Sequence, residues 1–290
     1  MLGQYYTVGN PFEEDLFKEW ATPLRQMVWL EPFAGSGNLT HVHDKWELFD
    51  IDPKRDDIVK RDTIQDFPTG FDVVVTNPPY LAKNSAKRRG WPYTSPFDDL
   101  YKHALDLMLK NAKWVAVIIP ESFITSKHLK SRLWAVISLE YPMFNDTTCP
   151  VCLALFTPNV SDDFIIQKQG VKLSYKSLPR LKEDPIKMTF NAENGVLGLY
   201  ACDGNHTRIR FVHGDEIGEV KPSSRSVTRI SVETEDLDTL ILRCNSILNQ
   251  WRQDTYDVFL TSFKGLRPDG VYRRRLDWKT ARTIVSKALK

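Results

Sequence analysis

The stretch VVVTNPPYL, Val73–Leu81, decides how the rest of the chain is read. An apolar, β-branched run that does not alternate reads as a strand buried on both faces. It ends abruptly on Asn77, Pro78, Pro79 and Tyr80. Proline has no N–H, fixes φ and keeps the residue before it out of helical space, so strand pairing stops and the chain turns rigidly. The Asn77 side-chain oxygen and the Pro78 carbonyl then face one way. Two converging acceptors beside an aromatic ring suit a planar group with an exocyclic amine: the oxygens hold its two N–H bonds while Tyr80 stacks on its face.

Working outward, apolar runs at 27–31 (MVWLE), 46–50 (WELFD), 72–76 (DVVVT), 114–119 (WVAVII) and 151–156 (VCLALF) alternate with helical stretches. That is the βαβ rhythm of a parallel sheet in an α/β fold. Asp98 to Lys113 places Leu100, Ala104, Leu107 and Met108 on one helical face behind an acidic start, and is expected to pack on the sheet. Residues 81–97 read as a loop containing the basic run Lys87-Arg88-Arg89. A helix carrying His41 and His43 is expected after the first strand. Beyond about residue 157, short β-like pieces between turn signals, with helices from Asp236 to Arg252 and from Lys279, read as a smaller mixed α+β region. The expected division is therefore 1–157 and 158–290.

The 290 residues are 42% hydrophobic and 26% charged, the balance of a folded globular chain rather than a disordered one. No window approaches the roughly 18 apolar residues of a membrane span, and the first segment lacks a secretory pattern, so the expectation is a cytoplasmic protein without a membrane partner. Four cysteines are too few and scattered for a disulfide framework. Cys149-Pro-Val-Cys152 has metal-site spacing but no second pair, so buried thiols and no metal are expected. The net charge of +2 hides an asymmetry: residues 1–150 carry 17 Lys+Arg against 20 Asp+Glu, and residues 151–290 carry 22 against 17. A mildly acidic half followed by a basic one suits a small-molecule site joined to a polyanion-facing surface.

LEPFAGSGNLT, Leu30–Thr40, follows the first strand. Gly35 and Gly37 permit a tight turn and close approach of a ligand at the mouth of the sheet, although a plain βα turn asks for no more. Glu31 at the strand end would repel a pyrophosphate but suits a ligand with positive charge. In LFDIDP, Leu48–Pro53, Asp50 ends the second strand where an acid holds ribose hydroxyls. Two acids, without a phosphate-binding lysine or a third glycine, point to a nucleoside with a cationic tail. S-adenosylmethionine, with its adenosine, ammonium and sulfonium, fits that description. An adenine amine is a poor nucleophile because its lone pair is conjugated with the ring. Oxygens that accept its hydrogens favour a pyramidal nitrogen, which attacks a sulfonium methyl in line by positioning and electrostatics alone.

Together these motifs closely resemble those of the S-adenosylmethionine-dependent DNA adenine-N6 amino-methyltransferases of restriction-modification systems, in the order of their gamma group, over about residues 3–157. The resemblance implies a Rossmann-like doubly wound methyltransferase sheet with a reversed last strand, VCLALF, followed by a target-recognition domain. It implies Thr7, in GQYYT (3–7), near the methionine part; Phe33, Gly35 and Gly37 in the glycine motif; and Asp50 with Ile51 at the ribose and adenine. Asp62, with Thr63, would hold the cofactor's adenine amine, and Asp66 is the rival. The family often has an aromatic residue where Thr63 stands. Phe144, in MFNDTTCPVCLALF, is the implied second ring: Tyr80 and Phe144 would sandwich an adenine flipped out of duplex DNA, the alternative being a core phenylalanine. Double-stranded DNA as substrate, a cognate restriction endonuclease as companion and a bacterial or phage setting follow from the same resemblance, which leaves the oligomeric state open.

In FKGLRPDGVYRRRLDWK (263–279), Lys264, Arg267, Arg273, Arg274 and Arg275 flank a Pro-Asp-Gly turn beside Tyr272 and Trp278. Such a mixture serves phosphates and base edges, and equally a solvated face. Lys87, Arg88 and Arg89 are expected where the cleft would meet DNA. Rival substrates are cytosine N4, for which the family more often has Ser in place of Asn77, an RNA base, and a protein glutamine, whose methyltransferases place a helical domain before the glycine turn. A non-catalytic DNA-binding module is the rival from another class, and the intact set of Glu31, Asp50, Asn77 and Tyr80 stands against it.

Overall fold

A computed structural model describes residues 10–144, 147–182, 186–204, 207–221 and 223–290, with the backbone alone at Lys264. The chain divides into two compact units, Met1–Lys176 and Ser177–Lys290.

The first unit is built on one sheet. In chain order its elements are α1 (Asp15–Ala21), β1 (Trp29–Glu31), β2 (Trp46–Asp50), β3 (Val59–Lys60), β4 (Val73–Thr76), α2 (Lys83–Arg88), α3 (Leu100–Asn111), β5 (Trp114–Pro120), β6 (Leu133–Leu139), β7 (Val151–Phe156), β8 (Ile165–Lys168) and β9 (Val171–Ser174). The strand order is β3-β2-β1-β4-β5-β7-β6-β8-β9. Strands β3, β2, β1, β4 and β5 run parallel, whereas β7 is antiparallel to both β5 and β6. The order reverses between β1 and β4, because β2 and β3 lie to one side of β1 while β4 and β5 lie to the other. Such a switch point opens a crevice at the carboxyl ends of the strands.

Val73, Val74 and Val75 are completely buried, as are Val115 to Ile119. These non-alternating runs are central strands covered on both faces, and each fully buried valine contributes on the order of 1.5–3 kcal/mol. On one side an aromatic group joins α1 to the sheet, with Trp20 edge-to-face on Trp29 (6.3 Å) and on Trp114 (6.1 Å). In α3, Asp99 caps the helix through the Tyr101 N–H.

Several expectations are corrected here. No α-helix follows β1: its connection to β2 is short, holds two glycines with positive φ (Gly35 and Gly37, 55° and 74°) and forms only a 3₁₀ turn at Thr40–Val42. His43 stacks on Trp29 at 4.2 Å. The stretch 81–97 is not wholly loop, since α2 carries its basic residues. The buried stripe of α3 is Tyr101, Ala104, Leu105 and Met108, while Leu100 and Leu107 are half-buried. VCLALF is not the last strand of the sheet, because β8 pairs parallel with β6 and β9 closes a hairpin on β8. Lys168-Gln169-Gly170-Val171 is that hairpin's turn, with both central residues at positive φ. The break between units therefore falls at 176/177 rather than 157/158.

The second unit has a sheet in the order β10-β13-β11-β12, from strands β10 (Thr189–Phe190), β11 (Leu197–Tyr200), β12 (Arg210–His213) and β13 (Val227–Ser231). Helix α4 (Leu237–Thr255), hairpin β14 (Thr261–Leu266) and β15 (Tyr272–Arg275), and helix α5 (Trp278–Ala288) complete it. Its core is its own: Leu199, Phe211 and Ile230 from the sheet meet Leu240, Leu248 and Ile284 from the two helices.

Candidate active site

A cleft of about 500 Å³ opens where β1, β2 and β4 end, within the range that holds a nucleoside-sized ligand. Glu31 ends β1, Asp50 ends β2, and Asn77, Pro78 and Pro79 follow β4; all five line it. Phe33, Gly35, Ile51, Asp62 and Thr63 line it as well. The expected cofactor residues are thus gathered in one place, with three exceptions. Thr7 lies outside the described residues. Gly37 does not line the cleft. Asp66 does not line it, being exposed and paired with Arg61 at 2.9 Å, so of the two rival acids Asp62 is the one at the cleft.

The local chain explains each placement. The Gly35 N–H donates to Asp50 Oδ2 and the Asp52 N–H to Asp50 Oδ1, both at 2.7 Å. Asp50 therefore holds the glycine turn and its own strand exit in shape as well as lining the cleft. Asp62 Oδ1 accepts from the N–H groups of Ile64 (3.1 Å) and Gln65 (3.3 Å), which cap the turn that brings it to the rim. Thr63, where the resembled family often has a ring, is buried and donates its hydroxyl to the Pro32 carbonyl at 2.7 Å. It ties the Asp62 turn to the glycine motif.

Glu31 is 2% exposed, and its Oε2 has no hydrogen-bond partner among the described residues. Burial first, and the neighbouring Asp50 second, hold its carboxyl well above the usual carboxylate range, opposed by the guanidinium of Arg55. A buried acid with an orphaned oxygen is costly unless something binds it, and a cation is the partner that favours its charged form.

The structure assigns Tyr80 a place that sequence could not. The ring is 9% exposed and does not line the cleft. It packs edge-to-face against Tyr101 at 6.3 Å and against Phe144 at 6.1 Å and 73°. Phe144 is itself 4% exposed. Crossed rings at that distance leave no parallel slot between them, so the expected sandwich of a base by Tyr80 and Phe144 is corrected: both are packed rings. The Tyr80 hydroxyl stands 2.6 Å from Asn77 Oδ1 and 2.8 Å from the Ile118 carbonyl, and donates its one proton to this pair. It anchors Asn77 to β5 from beneath.

Sequence reasoning missed the other wall, which Leu81, Pro92, Tyr93, Thr94, Ser95 and Leu100 form. Asp99, read as a helix start, also accepts from the Leu81 N–H at 3.1 Å and pins the chain leaving Tyr80 to α3. Burial raises the Asp99 carboxyl above its ordinary range, and these N–H donors oppose the shift. Lys87, Arg88 and Arg89 are exposed on and just after α2, with the Arg89 guanidinium 4.7 Å from the Trp91 ring centre. That segment leads directly into the wall at Pro92–Ser95.

The basic stretch of the second unit differs from its expected form. Strand alternation turns Tyr272 and Arg274 inward, and Arg274 is 6% exposed with Nη1 donating to the Ser262 hydroxyl at 2.9 Å. Arg273 donates to the Asp203 carbonyl at 2.8 Å and lies 5.0 Å from the Phe263 ring centre. Arg267 is paired with Asp269. Arg275 is half-buried and bridges to Cys202; the side chain of Lys264 lies outside the described residues. Trp278 stacks on Phe190 at 5.4 Å. What looked like a phosphate-facing mixture is largely internal scaffolding. The thiol of Cys152 is buried and that of Cys149 half-buried, and no helix among the described residues is long and apolar enough to cross a membrane.

Residues 27–139 match the family model described as Eco57I restriction-modification methylase. That stretch carries the glycine turn, Asp50, Asp62 and Asn77-Pro78-Pro79-Tyr80. Among solved structures, the chain is similar to the type I restriction-modification methyltransferase subunit from Streptococcus thermophilus, with 15% identity over 58% of this chain and 48% of that one and a TM-score of 0.41. It is also similar to the EcoKI M protein (14% identity, 49% and 44% covered, TM-score 0.36). A third is the type IIG restriction endonuclease BpuSI (16% identity, 49% and 24% covered, TM-score 0.35). The chain spans about half the length, or less, of these structures. No curated protein matches the sequence.

Proposed function

We propose that the protein is a site-specific DNA methyltransferase that transfers a methyl group from S-adenosylmethionine to N6 of an adenine turned out of the duplex. The observation that carries this reading is the convergence of Asn77, Pro78 and Pro79 with Glu31, Asp50 and Asp62 on one cleft at the switch point of the sheet. The match of residues 27–139 to a restriction-modification methylase family supports DNA as the substrate.

The cleft fits the cofactor. The orphaned Glu31 Oε2 takes its ammonium end, Asp50 and Ile51 its ribose and ring edge, and Asp62 its adenine amine. Bound there, the cofactor supplies an electrophilic methyl on a sulfonium. The chain does the rest by positioning. Asn77 Oδ1 and the Pro78 carbonyl accept the two hydrogens of the target amine, which concentrates the lone pair on nitrogen. Oδ1 has two lone pairs, so it accepts from Tyr80 and from the amine together. Tyr80 acts from behind: its hydroxyl sets the Asn77 rotamer, and its ring packs with Tyr101 and Phe144. A base leaves the duplex for this chemistry because N6 is out of reach in the stack. The exposed Lys87, Arg88 and Arg89 take phosphates beside the cleft, and the second unit recognises the target sequence. Duplex DNA and a restriction endonuclease of the same system are the partners of this reading.

The testing experiment is transfer of labelled methyl from S-adenosylmethionine to duplex DNA, followed by digestion to nucleosides. N6-methyl-2′-deoxyadenosine is expected; N4-methyl-2′-deoxycytidine would move the reading to cytosine, and transfer to RNA or to a glutamine-bearing protein but not to DNA, in parallel reactions, would move it to that substrate.

A further inference from the structure

Gly37 looked like space left for a ligand, yet the structure fills that space with a side chain of this protein. A Cβ built on Gly37 would stand 2.2 Å from Arg55 Nη1 and 2.9 Å from its Cζ. The φ of 74° discourages a side chain there independently. Arg55 lies in the β2–β3 connection, and its Nη1 reaches the Gly37 carbonyl (3.4 Å) and Thr40 Oγ1 (3.2 Å). Thr40 in turn donates to the Gly37 carbonyl at 2.8 Å. The other edge of the guanidinium is held by Asp57.

Arg55 is not alone in crossing this gap. The Lys54 N–H donates to the Gly35 carbonyl at 3.2 Å, and the Gly35 N–H donates to Asp50. Just beyond Arg55, Ile58 is buried with Ala34 and Leu48 in a small core of their own. Two walls of the cleft, the glycine turn with Gly35 and Ser36 and the strand exit with Ile51 and Asp52, are therefore stitched together by one short segment. Arg55 is the member of that segment whose side chain hydrogen-bonds to the glycine turn and to Thr40.

We propose that Arg55 is a positioning residue for the cofactor: its guanidinium staples the glycine turn to the β2–β3 connection and so holds two walls of the cofactor cleft in place. This rests on the cofactor reading above. The charge matters because Glu31 must be ionised to hold a cation, while burial and Asp50 favour its neutral form. The ionisable side chains lining the cleft among the described residues are Glu31, Asp50, Asp52, Asp62 and Tyr93. Of the charges bearing on Glu31, Asp50 raises its carboxyl and the guanidinium of Arg55 opposes the rise, and Asp52 is engaged by Lys54. Without Arg55, Glu31 takes up its proton at higher pH and fewer molecules carry the binding anion.

Calorimetric titration with S-adenosylmethionine between pH 5 and 8 tests this with the parent chain, Arg55→Lys, Arg55→Met, Gly37→Ala and the double variant Gly37→Ala/Arg55→Met. Arg55→Met is expected to bind about tenfold more weakly, the size of one charge-assisted hydrogen bond. The acid limb of its binding curve should move to higher pH. Arg55→Lys keeps that limb where the parent has it but recovers affinity only in part, because an ammonium lacks the guanidinium fork. Gly37→Ala should cost less when Arg55 is already Met than when it is present, since one of its two penalties is the collision with Nη1. Parent-like affinity and pH profile in Arg55→Met overturn the inference while leaving the cofactor reading intact. If Arg55→Met does not fold, a displaced acid limb in Arg55→Lys overturns it instead. A parent chain that binds no S-adenosylmethionine overturns both.

Discussion

At the scale of single residues, the site depends on an asparagine held from behind and an acid held against its preference. Asn77→Ala should lower turnover by about 10²–10³-fold, the usual effect of losing one preorganised polar group at a reacting centre, with cofactor affinity close to the parent value. Turnover within a few-fold of the parent would remove Asn77 from the chemistry. Tyr80→Phe separates packing from positioning: it keeps the ring and loses the hydroxyl that reaches Asn77 and Ile118. A fall in kcat of about tenfold with unchanged DNA affinity is expected from steady-state kinetics; a parent-like kcat would remove the hydroxyl from the positioning of Asn77. Glu31 gives a prediction about pH. Its folded-state pKa lies above the ordinary 4.5, so the folded state holds a proton that the unfolded state has released. Stability of the ligand-free chain therefore falls as pH rises from about 4.5 through the raised value. Glu31→Gln should remove that fall, raising Tm at pH 8 relative to the parent while weakening cofactor binding. Thermal scans at pH 5 and pH 8 read it directly, and a lower Tm for Glu31→Gln at pH 8 would contradict the burial argument.

At the scale of elements, α2 and β15 carry similar basic runs with opposite consequences. Replacing Lys87, Arg88 and Arg89 by Ala should weaken DNA binding at low salt and flatten the slope of log K against log salt by about 0.9 for each phosphate no longer neutralised. Arg274→Ala, by contrast, should act on stability, by about 1–3 kcal/mol in chemical denaturation, because it empties a buried position. Equal effects of the two changes on the salt slope would show that β15 is a DNA surface after all. The comparison also shows what sequence can carry. Strands β1, β2, β4, β5 and β7 were legible because each is a short, mainly apolar run set between helical or turn signals, and α3 and α4 because helical spacing begins at an Asp. Period-two alternation in VYRRR already placed Tyr272 and Arg274 on one face, and charge content obscured it. Strand β6 was missed because LWAVISL follows a lysine-rich connection and looks like the end of a helix. No local pattern could tell whether Tyr80 looks into the cleft or beneath it, since that depends on Tyr101 and Phe144, residues brought there only by the sheet. The gathering of Glu31, Asp50, Asp62 and Asn77 was legible because strand ends at a switch point leave few other places for them. Arg55 was not, since its partner is the missing side chain of a glycine.

At the scale of the whole molecule, the chain is two units with separate cores, and the cleft belongs entirely to the first. The units should melt in two calorimetric transitions. S-adenosylmethionine at about 100 times its Kd adds roughly 2.7 kcal/mol to the unit that binds it. Only one transition should move in the parent, and in Glu31→Gln that same transition should move less. A single transition that shifts as a whole would show the units to be one cooperative body. The most direct test of the central claim is a paired measurement on the parent chain and Asn77→Ala: equilibrium binding of S-adenosylmethionine, and methyl transfer to duplex DNA scored as N6-methyl-2′-deoxyadenosine. The expected result is cofactor binding by both and N6-methyl-2′-deoxyadenosine formed by the parent about 10²–10³-fold faster than by Asn77→Ala. Cofactor binding by the parent without any methyl transfer to DNA, or equal transfer by the two chains, would contradict it.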